Sequence, residues 1–208
     1  MKLKKNAKRL IIMLIIILLI VVGGIVVSKL IPKKEEVKEA KVLDTIEDYG
    51  YVLKDNKTKK YQTLFKDLIK ILNEEEINEE EYATKLSEMF IVDFYSLADK
   101  SAKTDVGGVD IVHPDILGNF LDNAENTYYK YVESNIYNNR NQKLPEVENV
   151  TVEKIQTISY TYGQITDEKA YSVDVNWTYT SEEFADYQKK ANLTFIHKEN
   201  KLYLVELK

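Results

Sequence analysis

Tyr171-Ser172-Val173-Asp174-Val175-Asn176-Trp177-Thr178-Tyr179 alternates a large apolar or aromatic side chain with a polar one at every step. A period of two is the mark of a strand with one buried face and one wet face. The same period continues on both sides. Val150, Val152, Ile158, Tyr160 and Tyr162 fall on one face of a preceding strand, and Ala191, Leu193, Phe195 and His197 on one face of the next. Leu202 to Leu207 forms a fourth, joined to the third through Glu199-Asn200, a two-residue hairpin turn. The links are short, so the strands are expected to pair in chain order as an antiparallel meander.

Upstream the period changes to three and four. Lys57 to Leu72 repeats Tyr61, Leu64, Phe65, Leu68, Ile69 and Leu72 along one helical face, with Asp55 or Asn56 as cap. Glu79 to about Lys100 reads as a second helix, capped by Asn78 with Glu81 three residues on. Met89, Ile91 and Val92 widen its apolar face, so it should lie deeper. Gly107-Gly108 marks a turn before a short strand through Val109 and Ile111. Pro114 suits the first position of a third helix reaching about Tyr137, with Leu117, Phe120, Leu121, Ala124, Tyr128, Tyr131, Val132 and Ile136 on one face. The expected class is α+β: three helices on a curved antiparallel sheet of about four long strands plus a short strand, the sheet curling around the third helix.

The N-terminus carries a different signal. Leu10 to Val27 is 18 residues without a polar side chain. At helical rise it covers roughly 27 Å, close to the bilayer's hydrocarbon thickness. Five Lys/Arg precede it and three follow, so the positive-inside rule places Met1 in the cytoplasm. A cleaved signal peptide is the competing reading, but the run is long for one and Val26-Val27-Ser28 is a poor cleavage site. The expected organisation is a cytoplasmic tail at 1–9, a transmembrane helix at 10–31, a juxtamembrane linker at 32–56 and an extracytoplasmic α+β domain at 57–208.

Charge and composition narrow the function. Residues 1–34 hold eight Lys/Arg and no acid, which leaves 21 bases against 34 acids in the remainder, a net −13. An acidic body disfavours nucleic acid. The absence of cysteine removes disulfides, thiolate metal sites and a cysteine nucleophile. There is no Gly-rich phosphate loop, no Gly-x-Ser-x-Gly and no His-Glu-x-x-His. No cofactor and no metal is expected. Asn56, Asn149, Asn176 and Asn192 head Asn-x-Ser/Thr triplets, which chance explains in an Asn-rich chain of bacterial-looking composition.

The order helix, helix, short strand, long helix, four long antiparallel strands resembles the cone-shaped fold of the nuclear-transport-factor-two-like superfamily. With one N-terminal span it looks like the inner-membrane scaffold components of type IV secretion and conjugation systems. That resemblance is one of topology over about 57–208. It implies either an assembly scaffold or peptide-binding module, or an isomerase- or dehydratase-like enzyme with an aromatic cavity.

Two residues can carry chemistry. Asp93 interrupts an apolar run, where burial would raise its pKa and make it a base; otherwise it lies on the solvent edge of the helix or accepts a structural hydrogen bond from a Tyr. His197 ends an apolar strand row, where it either lines a cavity and moves protons or sits half exposed beside the turn. Asp105, Asp110, His113 and Asp115 cluster near the Gly-Gly turn without the spacing of a calcium loop. The chain has 15 Tyr, and Tyr128, Tyr131, Tyr160, Tyr162, Trp177 and Phe195 are the expected pocket residues. The expected partners are the membrane, through Leu10–Val27, and a protein or a second copy of the chain.

Overall fold

A computed structural model of the chain describes residues 40–208. The tail at 1–9, the membrane segment at 10–31 and the first part of the linker lie outside the described residues. Among the described residues no helix is long and apolar enough to cross a membrane.

The architecture is α+β. Elements run β1 (Val42–Ile46), β2 (Tyr51–Lys54), α1 (Lys59–Leu72), α2 (Glu79–Tyr95), α3 (Pro114–Asn126), β3 (Val147–Tyr162), β4 (Ile165–Tyr179), β5 (Lys190–Lys198) and β6 (Lys201–Leu207). β1 and β2 make a separate antiparallel hairpin, and β3-β4-β5-β6 form the expected meander. Glu199-Asn200 turns β5 into β6, with Glu199 at φ 58. The hairpin corrects the reading of residues 42–54 as linker. Gly50, at φ 65, closes its turn, and Tyr51 and Leu53 are buried in the core.

Each helix starts where a side chain meets its orphan amides. The cap of α1 is Thr58, not Asp55 or Asn56; its hydroxyl accepts from Tyr61 N at 3.2 Å. Replacing Thr58 with Ala should cost about 1 kcal/mol in a denaturant melt, and an unchanged midpoint would contradict this cap. Asn78 caps α2 as expected, accepting from Glu80 N and Glu81 N while donating to Glu81 Oε1 at 3.1 Å. The helix stops at Tyr95 rather than Lys100, because Leu97 N and Ala98 N turn to donate to Pro145 O. His113 caps α3, its Nδ1 accepting from Asp115 N at 3.3 Å, and Pro114 follows at the first turn.

Three further expectations are corrected. The third helix ends at Asn126, not Tyr137. Tyr129 N folds back to Ala124 O at 2.9 Å and its side chain enters the core, which leaves Tyr131 and Ile136 exposed. The helix laid across β3 and β4 is α2, whose residues Met89 to Tyr95 are all buried; α3 buries only Ala124 fully. No strand forms at Val109 and Ile111; a single parallel bridge joins Val112 to Leu204 beside β6.

The faces of β3 also differ from the simple alternation. Val150 lies opposite Trp177 and Ile155 opposite Val173, on the core face, while Ile158 lies opposite Ala170 on the other. A bulge between Val152 and Lys154 adds one residue and inverts the parity. Tyr160 and Tyr162 therefore pack with Ala170, Ile196 and Val205, on the opposite face from Trp177 and Phe195.

Candidate functional site

Among the described residues a groove of about 410 Å³ lies beside α3. α3 is amphipathic in an unusual way. Ile116, Phe120 and Ala124 repeat every four residues, and Asn119, Asn123 and Thr127 repeat in parallel next to them. The first row forms groove wall and the second, exposed, forms its rim. Phe94 and Tyr95 enter from the end of α2, Tyr128 from the turn after α3, Gln188 from the β4–β5 loop and Leu207 from the end of β6.

The aromatic walls support one another. The Phe94 ring lies 5.3 Å from Phe120 and 5.8 Å from Tyr128, and Tyr95 lies 4.3 Å from Trp177 beneath it. The Tyr128 hydroxyl donates to Tyr95 O at 3.2 Å and lies 3.3 Å from the Tyr179 hydroxyl, which donates to Gln188 O at 2.8 Å. Burial first, then the Tyr179 hydroxyl, pushes the Tyr128 phenol well above its ordinary pKa, and burial does the same for Tyr95. Both stay neutral. None of the described lining residues is Asp, Glu, Lys or Arg.

Of the expected pocket residues only Tyr128 lines this groove. Trp177 and Phe195 are core residues, 3% and 0% exposed, Tyr131 is 75% exposed, and Tyr160 and Tyr162 are on the far side of the sheet. Phe94, Phe120 and the Asn119/Asn123 pair were missed as site residues. The signal for them was the neutral stripe running alongside an apolar one on α3.

Asp93 is buried beside the apolar run rather than on the solvent edge of the helix, and its structural partners are two lysines rather than a Tyr. Lys57 Nζ donates to both carboxylate oxygens at 2.7 and 2.6 Å, Lys100 Nζ to Oδ1 at 2.9 Å and Gly108 N to Oδ2 at 2.8 Å. Burial would raise its pKa. The Lys100 and Lys57 ammoniums override burial and hold it well below the usual carboxylate range. Lys100 is itself buried. Burial opposes its charge, but Asp93 and then Asp99 hold the ammonium well above its ordinary value.

The second carboxylate of this cluster is weaker. Asp99 Oδ1 lies 3.0 Å from Lys100 Nζ, yet it accepts no hydrogen bond. The distance supports a Coulombic contact and no more. Burial, opposed by Lys100, raises its pKa, so its ionised form opposes folding at neutral pH and its contribution improves as pH falls. Asp99→Asn should accordingly change stability by no more than about 1 kcal/mol. A loss as large as that of an Asp93 variant, read in the same denaturant melt, would overturn this ranking.

His197 sits elsewhere. Its Nδ1 lies 2.8 Å from Asp167 Oδ2 and its Nε2 3.4 Å from Glu79 Oε1, and Tyr171 donates to Glu79 Oε2 at 3.2 Å. This cluster ties β4 and β5 to the start of α2. Asp93 and His197 share no cluster, and neither lines the groove. The acidic residues near the Gly-Gly turn do not converge: Asp105 accepts from Ser101 N and Oγ, while His113 caps α3. Among the described residues no group of three His, Asp or Glu is placed to hold a metal ion.

No protein-family model, no curated protein and no solved structure matches the chain.

Proposed function

We propose that this chain is a single-pass membrane-anchored protein whose extracytoplasmic α+β domain binds a protein or peptide segment, in an assembly or tethering role. The observation that carries the reading is the groove beside α3: aromatic walls, an exposed amide rim and no Asp, Glu, Lys, Arg or His among its described lining residues. The apolar run Leu10–Val27 supports the anchor, and the acidic balance of the remainder suits a domain held off an anionic lipid surface. A cone-shaped enclosure of the nuclear-transport-factor-two-like kind is the finer form of the fold. The bulges in β3 and between β5 and β6 are the feature that would bend such a sheet.

The enzyme reading asked for Asp93 and His197 around one aromatic cavity. Asp93 is committed to two lysines and His197 to two carboxylates, so the geometry favours binding over proton transfer.

A photo-crosslinking amino acid in place of Asn123, on intact cells, tests the proposal. The expected result is a discrete adduct from position 123 and none from the exposed position Glu168 on β4. Equal, diffuse labelling from both positions would contradict it.

A further inference from the structure

We propose that the groove beside α3 selects an uncharged, extended peptide of about five residues, anchored by an aromatic or large aliphatic side chain; this rests on the binding role above and specifies its ligand.

Charge is the first argument. In a chain that is 30% charged, the groove's described lining carries no ionisable group except phenols that stay protonated. A charged side chain entering it would lose hydration and meet no counter-charge. An acidic peptide would also be repelled from a distance by the net −13 of residues 35–208.

Length is the second. From Ile116 to Thr127 the groove, wall and rim together, follows α3 and its C-cap for roughly 16 Å at helical rise, which an extended strand covers in about five residues. The third is the pairing of chemistry with position. Asn119 and Asn123 stand one turn apart on the exposed rim. Each amide offers a donor and an acceptor, the complement of a peptide unit's carbonyl and N–H. Behind them the half-buried Phe120 and Tyr128 rings offer an apolar surface on which an aromatic or aliphatic side chain can pack.

The test uses the full-length chain in detergent and its one tryptophan. The Trp177 ring lies 4.3 Å from that of Tyr95, which is in the groove wall, so occupancy should alter its fluorescence. The probes are end-capped pentapeptides with a central Phe and flanks of Ser and Val, the same peptides with one flank changed to Glu or to Lys, and a neutral tetrasaccharide. The expected result is saturable binding of the neutral peptide, with either charged peptide weaker by roughly tenfold or more. Asn123→Glu, at an exposed helical position, should leave the melting temperature in place. It should weaken the neutral peptide by a similar factor of about ten and improve the Lys-bearing one. Four results would each overturn the inference: equal binding of charged and neutral peptides, undiminished binding to Asn123→Glu, saturation by the saccharide alone, or no saturable change with any probe. If the crosslink from position 123 persists in cells while the peptides show no charge preference, this inference falls and the binding role stands.

Discussion

Replacing Asp93 with Ala is expected to remove about 3–5 kcal/mol, a large part of the 5–15 kcal/mol by which a domain of this size is ordinarily stable. The carboxylate is 4% exposed and serves three donors at once. Its removal leaves Lys100, 3% exposed, with an ammonium that can neither reach water nor pair well, because Asp99 provides only a contact without a hydrogen bond. Lys57 is 16% exposed and can swing outward, so most of the cost falls on Lys100. Removing both charges should be milder than removing one. Asp93→Leu combined with Lys100→Met should recover part of the loss, since a buried pair contributes little net stability against a well-packed apolar replacement. Denaturant melts of the two variants check this, and a wild-type midpoint for Asp93→Ala would refute the role given to this carboxylate. The pH dependence has a definite sign. The folded-state pKa of Asp93 is depressed, so its contribution is complete at neutral pH and is lost as pH falls below about 4 toward the folded value. Asp93→Asn should flatten that part of the acid-unfolding curve.

The second large effect is expected from Gly107→Ala. A Cβ at that position would lie 2.1 Å from Asp93 O and 2.4 Å from Asp93 C. Those are backbone atoms of the last turn of a buried helix, so neither side can yield without moving α2. The loop is also fixed from the other side: Gly107 N donates to the Tyr129 hydroxyl at 3.0 Å, and that hydroxyl donates to Phe94 O at 2.6 Å. The cost should reach or exceed the upper end of the about 1–3 kcal/mol typical of overpacking. The same substitution at Gly118 should act in the opposite direction. It lies inside α3 with nothing within 4 Å of an added Cβ, so Ala there should stabilise by about 0.5–1 kcal/mol. Similar midpoints for the two variants would contradict the packing described around Asp93.

The meander and its turn were legible because alternation from Tyr171 to Tyr179 and the pair Glu199-Asn200 are local signals. The bulge after Val152 was not. It leaves no mark in composition, yet one added residue moved Ile158, Tyr160 and Tyr162 to the other face and dissolved the expected aromatic ring. The end of α3 was misread for a related reason. Tyr128, Tyr131 and Ile136 continue the helical period, but by leaving the helix the Tyr129 hydroxyl accepts from Gly107 N and donates to Phe94 O in the core, and that tertiary reward is invisible to periodicity. Asp93 showed in the sequence as a carboxylate in an apolar run; its two lysines, 36 residues before and 7 after, did not. The sign of its pKa shift turned on them. The groove was half legible: Tyr128 was expected, while Phe94 and Phe120 read as ordinary core.

The most direct test of a membrane-tethered groove facing away from the cytoplasm uses the absence of native cysteine. Asn123→Cys and Ala7→Cys chains are treated on intact cells with a membrane-impermeant maleimide. Labelling at 123 without permeabilisation, and at 7 only after it, is the predicted pattern. Labelling at 7 on intact cells, with 123 protected until the membrane is opened, would contradict it.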